Sequence, residues 1–180
     1  MGTNLLTENG LLLQIALLSQ FTIQGIGMTV QTLIGNFKGK GEYQKMIPLL
    51  LIAIVSSLVI SLAFASSAIL FPETIFGILT NHTDIIREIG NYTIWLLPLL
   101  VFTAIVFMLE AYVIGLKEGA ILRNSSLIAF AIVFIPLIQL TIKMQSINLL
   151  WFSLTAYMVS LMFSLAIQIP RIQRSITTSE

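Results

Sequence analysis

Five apolar runs, each about twenty residues or longer, divide this 180-residue chain, and a helix of that length crosses a bilayer core about 30 Å thick. They lie at about residues 11–36, 46–71, 92–116, 120–142 and 147–170. Hydrocarbon offers no water to backbone N–H and C=O groups, so such runs are expected to fold as helices packed on one another. The predicted fold is all-α: a single transmembrane domain over residues 1–180, a polytopic membrane helical bundle of about five spans. Composition agrees, with 57% hydrophobic and 9% charged residues where soluble domains carry about 25% charged.

Several function classes fall away on the same grounds. A net charge of +1 provides no electrostatic footprint for nucleic acid, so none is expected as a partner. Zero cysteines and one histidine leave neither a thiolate site nor a histidine cluster, and neither a metal nor a cofactor is predicted. Without a Ser/His pair, an HExxH motif or paired intramembrane aspartates, the chain is not expected to be an enzyme. The N-terminus has no basic n-region and leads into a run too long for a signal peptide, so the first span is expected to stay in the mature protein.

The first run is unusually polar. Gln20, Gln24, Gly27 and Gln31 recur at i, i+4, i+7 and i+11, which lines them along one helix face. Two readings stand: amides that bond between helices, with Gly25 and Gly27 permitting close approach, or a face lining a solute cavity. The turn that follows, GNFKGKGEYQK, interleaves glycine with lysine but lacks GxxxxGK[ST], so a basic helix end accounts for it better than a phosphate cradle. In the second run Ser57, Ser61 and Ala65 form a row of small residues suited to close helix packing. The connection after it carries His82, expected to be solvated, and the sequons at Asn81 and Asn91.

The third run holds the charge that matters most. Glu110 lies inside an apolar stretch, and a carboxylate in hydrocarbon costs about 2.5–3.5 kcal/mol unless it finds water, a partner or a proton. Lys117 follows seven residues later, about 10 Å along a helix axis, so Glu110 either snorkels or bonds to a neighbouring helix, or serves as an ion- or proton-responsive group. Trp95 and Trp151 are expected in interfacial belts. Pro98 and Pro136 are predicted to kink or open their helices, Pro136 by crowding the carbonyl of Ile132, and both are hinge candidates. Seven basic residues, from Lys38 to Arg174, fall on one side and only Arg87 and Lys143 on the other. The positive-inside rule then predicts the N-terminus outside and the C-terminus in the cytoplasm.

Taken together, GIGMTVQTLIGNFKGKGE, LFPETIFGILTNHTDI, WLLPLLVFTAIVFMLEAYVIGLKEGAILRNSSL and LLWFSLTAYM resemble the MATE (multidrug and toxic compound extrusion) family, most closely its DinF-type, cyanobacterial and plastid-like branch. The turn after the first run is similar to the family's G…LVGQ.LGAG helix end. The GLKEG turn is similar to its LRGxGD, with Val113 and Ile114 where the family has Leu-Arg. The resemblance implies spans eight to twelve of a twelve-span protein, most of its C-terminal lobe, without the N-terminal lobe and the seventh span. Some sodium-linked relatives of that family carry an acidic residue in the tenth span, at a position that falls nearer Thr103 than Glu110 here, so no ion site is carried over.

What the resemblance implies is part of a secondary active antiporter that exchanges H+ or Na+ for organic cations, drugs or metabolites, incomplete alone. Gln20, Gln24 and Gln31 would line its cavity, Glu110 would couple it to an ion or proton, and Pro98 and Pro136 would be its hinges. Its partners would be the lipid bilayer, a small-molecule substrate with its counter-ion, and a separate N-terminal half or further copies of itself. Its location would be the bacterial inner membrane or a thylakoid or plastid membrane. The alternative is a truncated, non-transporting membrane protein, either a gene remnant or an assembly partner.

Overall fold

The computed structural model describes residues 3–80, 89–90 and 92–177, with side chains over 9–80, 89–90 and 92–174. Asn81, His82, Arg87 and Asn91 lie outside the described residues. The described chain is helical apart from short turns, with no strand among the described residues. The helices are α1 (Thr3–Gly39), α2 (Met46–Leu70), the short α3 (Pro72–Leu79), α4 (Leu96–Gly115), α5 (Gly119–Ala129), α6 (Ile135–Met144) and α7 (Ile147–Thr177). A π-helical turn, Phe130–Phe134, joins α5 to α6, so the two make one continuous span. Five helices are thus long and apolar enough to cross a membrane, and the chain is an integral membrane protein.

The bundle is built around α4. This helix is apolar on every side, the pattern of a helix surrounded by protein, and twelve of its twenty residues are buried. It packs against α1, α2 and α7, while α5 and α6 lean on α7. Half of the apolar window of the third span is buried against 17% for the fourth, which places α4 at the axis and the fourth span at the periphery.

Glycine lets α1 approach α4. A Cβ on Gly115 would lie 2.7 Å from the Gln31 carbonyl oxygen and 2.9 Å from the Ile34 Cβ, distances no side chain tolerates. Gly35 faces the Gly115 carbonyl at 3.5 Å, and Gly27 faces Met108, Ala111 and Phe107. The sequence also nominated Gly25 for close approach, yet nothing lies within 4 Å of it, because it points away from α4. On α2 the small row is buried as expected, and the Ser57 hydroxyl reaches the Ala104 carbonyl at 3.4 Å.

Polar side chains tie the ends of the bundle. At the basic end Lys38 Nζ donates to the Leu116 carbonyl at 2.7 Å, satisfying an orphan acceptor at the C-terminus of α4, and Gln173 Nε2 donates to the Tyr112 hydroxyl at 3.2 Å. Gly41, at φ 70°, turns the chain there, and Lys45 pairs with Glu42 at 2.9 Å. At the opposite end Trp151 Nε1 donates to Asn9 Oδ1 at 2.9 Å and Trp95 Nε1 to Asn148 Oδ1 at 3.1 Å. Trp151 is therefore not a belt residue: it is 1% exposed, because its N–H finds a partner on α1 inside the protein.

The prolines behave differently from one another. Pro98 is the third residue of α4, directly after a 3₁₀ turn at Thr93–Trp95, where its missing N–H removes no intrahelical bond; it begins a helix rather than bending one. Pro136 follows the π turn, in which the Ile135 N–H reaches back to the Phe130 carbonyl. The predicted disturbance near Ile132 thus takes the form of a widened turn. Pro170, where the sequence ends the last span, lies inside α7, which runs on to Thr177.

The tight α1–α4 contact leads to a stability prediction. Gly115→Ala is expected to lower the unfolding free energy by about 1–3 kcal/mol through overpacking, while Gly25→Ala stays within about 0.5 kcal/mol of the parent. Midpoints of unfolding by a denaturing detergent would measure both. Equal midpoints for the two variants would refute the close approach.

Candidate functional site

The polar face of α1 and the one carboxylate of α4 meet in an open cleft. Gln24, Gly27, Met28 and Gln31 from α1 and Phe107, Glu110, Ala111 and Ile114 from α4 line about 160 Å³ of water-sized space. The α1 residues follow the 3–4 spacing of a single helix face. On α4, Phe107 and Ile114 sit three residues before and four after Glu110, hence on its side of the helix. Gly27 leaves room in the cleft beside Ala111, whose Cβ would lie 3.7 Å from a Cβ added at Gly27.

Glu110 is half-buried, and among the described residues no hydrogen bond or ion pair reaches it. Lys117 lies beyond the end of α4, in a turn with φ 65°, and its side chain is exposed. Of the arrangements expected for Glu110, a bond to a neighbouring helix is not found among the described residues; Glu110 lines a cleft that also carries two amides. Tyr157 of α7 lies within electrostatic range of Glu110. That ring also contacts Phe134 edge to face, with centroids 5.8 Å apart, and Phe134 stacks on Phe130 at 5.4 Å. The π turn before Pro136 is thereby joined to the surroundings of Glu110 by three aromatic rings.

The residues singled out from the sequence divide accordingly. Gln24, Gln31 and Glu110 come together in the cleft. Gln20 is half-buried one turn further along α1 and is not among the cleft residues. Pro98 and Pro136 lie outside it, Pro136 close to the aromatic chain and Pro98 at the start of α4. Met28, Phe107, Ala111 and Ile114 were not anticipated. On a helix apolar all round, hydrophobic periodicity marks no face, and only the spacing about Glu110 could have identified Phe107 and Ile114. No group of three or more acidic, histidine or cysteine side chains suited to a metal occurs among the described residues.

Amides and a carboxylate at this depth need water or protein opposite them, since lipid satisfies neither. Gln24 and Gln31 are exposed in the isolated chain, so the cleft face is where solvent, a solute or further polypeptide must meet the bundle.

The model of the family MatE matches residues 1–140. DNA damage-inducible protein F of Escherichia coli (strain K12) is 25% identical over 166 residues, which cover 92% of this chain and 36% of that protein. The chain thus spans about a third of the length of this curated relative. No solved structure matches it significantly.

A chain without cysteine permits a direct test of water in the cleft. A thiol reacts as its thiolate, which needs water nearby. Gln24→Cys and Gln31→Cys in membranes are expected to react with a hydrophilic maleimide about tenfold faster than Val55→Cys, whose parent residue is 61% exposed on the apolar face of α2. Rates as slow as that of the Val55 variant would mean that the cleft is dry.

Proposed function

The chain belongs to the MatE family, and from that premise we propose that it forms most of the C-terminal lobe of a DinF-type secondary antiporter. In this reading the cleft of Gln24, Gln31 and Glu110 is part of the wall along which an organic cation or metabolite moves in exchange for H+ or Na+. The observation that carries it is the convergence of the polar face of α1 with the single carboxylate of α4 in one open cleft. Polar side chains that face outward at membrane depth need water, a solute or further polypeptide opposite them, and a transport path supplies the first two.

The roles follow from chemistry. Glu110 is the group whose charge can respond to a proton or cation, and it can neutralise a cationic solute. Gln24 and Gln31 offer donors and acceptors to a solute of either polarity. Gln20, one turn along the same face, extends that lining. The π turn before Pro136 is the more mobile of the two proline elements, since its ladder is already interrupted, and Pro98 marks where α4 pivots on its 3₁₀ turn. Alternating access moves one repeat against another, so the working unit includes an N-terminal half, separately encoded or otherwise, or a second copy of the chain. The basic residues around Lys38, Lys117 and Arg171 would face the cytoplasm in a bacterial inner membrane or a plastid or thylakoid membrane.

Vesicle transport tests the reading. With a DinF-type N-terminal half present, an imposed proton or sodium gradient is expected to drive a fluorescent cationic dye across the membrane, and Glu110→Gln is expected to slow that movement about tenfold or more. Unchanged transport in the variant would remove Glu110 from the coupling path. Absence of transport from correctly inserted protein, with the half and without it, would favour a remnant or an assembly role.

A further inference from the structure

The buried interior of the bundle is not one continuous apolar core. One cluster of buried hydrophobic residues, which includes Ile23, Ala53, Ala104 and Leu161, fills the basic end. A second, which includes Ala16, Ala65, Leu100 and Trp151, fills the other. On each of the four helices that contribute to both, every buried residue between the clusters bears a hydroxyl: Ser19 on α1, Ser57 and Ser61 on α2, Thr103 on α4, Ser153 and Thr155 on α7. Apart from the half-buried Met158, which packs against both clusters, the second cluster thus meets the first across a layer of hydroxyls.

Most of these hydroxyls are satisfied locally. Ser61 donates to the Leu58 carbonyl, Ser153 to that of Leu149 and Thr155 to that of Trp151, and Ser153 also meets Thr141 at 3.2 Å. Ser57 donates to Ile54 at 2.9 Å and has a long second contact, 3.4 Å, to the Ala104 carbonyl. Ser19 and Thr103 are different. Both are 0% exposed, and neither hydroxyl has a hydrogen-bond partner among the described residues. Leaving such a group unsatisfied costs about 1–3 kcal/mol, and two of them in one layer point to a shared cause.

Register places the pair at similar heights along the two helices. The α1–α4 contact sets Gly27 against Phe107, Met108 and Ala111, with the two helices running in the same direction. Ser19 is eight residues before Gly27, which brings it level with residues 99–103 of α4 and so within about one turn of Thr103. Both side chains are small, and a water molecule needs only two to four polar partners in a space of its own size.

We propose that Ser19 and Thr103 hold an internal water molecule between α1 and α4, with the Ser57 hydroxyl, which already reaches the carbonyl of the next residue, Ala104, as a third partner. The water joins the hydroxyls of the three helices and completes the polar layer. Its site is distinct from the cleft, whose lining begins at Gln24 and Phe107.

A double-mutant cycle on the purified chain in detergent micelles tests it. If the hydroxyls share a water, Ser19→Ala lowers the folded-to-unfolded ratio about fivefold in the parent but leaves it unchanged or raised in a Thr103→Val background, where the bridge is already gone. Thr103→Ser, which keeps the hydroxyl, restores the response to Ser19→Ala and guards against a packing effect of valine. The same response to Ser19→Ala in both backgrounds would show independent hydroxyls and overturn the bridge. A midpoint that rises with sodium but not potassium, and loses that rise in both single variants, would assign the site to a cation and also overturn it.

Discussion

The contact between Gly115 and the Gln31 carbonyl sets the geometry on which the rest of the bundle depends. Between helices in a membrane there is no hydrophobic driving force, because lipid tails are as apolar as leucine, and close van der Waals contact has to supply the association. Gly27, Gly35 and Gly115 permit it, and every other pairing of α1 with α4 follows from the register they impose. Lys38 reaches the Leu116 carbonyl at one end of that register, Gln24 and Gln31 line one cleft with Glu110 in its middle, and Ser19 falls within about one turn of the height of Thr103 beyond them.

Polar residues at membrane depth are handled in two ways here. Serine and threonine can bond back to the carbonyl three or four residues earlier, so a hydroxyl can be buried without a partner from another helix, and α2 and α7 use this at Ser61 and Thr155. Glutamine and glutamate have no such local solution. Their side chains carry more polar atoms than a helix can satisfy from its own backbone, so Gln24, Gln31 and Glu110 gather on a face that remains open. The closed hydroxyl layer and the open cleft are consequences of that difference in side-chain chemistry.

Around the cleft, rigidity is unequal. α4 is enclosed by α1, α2 and α7, and both ends of α1 and α4 are tied to neighbours by hydrogen bonds. The fourth span is peripheral and interrupted by a π turn before Pro136, yet its Phe134 ring touches Tyr157, which lies within electrostatic range of Glu110. The fourth span is held to the bundle through those rings, whereas the glycine-packed side is held by backbone contact.

Much of this was legible in the residues themselves. The length of five apolar runs dictated helices, since hydrocarbon satisfies backbone polar groups in no other open-chain form, and the spacing of Gln20, Gln24, Gly27 and Gln31 dictated a shared face because a helix repeats every 3.6 residues. Glu110 announced itself as a lone charge in an apolar stretch. What these signals cannot carry is which helix a face meets. Gly25 and Gly27 look equivalent in the sequence, Trp151 looks like a belt residue, and Ser19 and Thr103 lie 84 positions apart in runs with no common motif. Periodicity describes a helix about its own axis, but contact depends on how helices are rotated and shifted against one another. Only the packing of α1 on α4 decided that Gln24 and Gln31 share a cleft with Glu110 while Gln20 stands outside it.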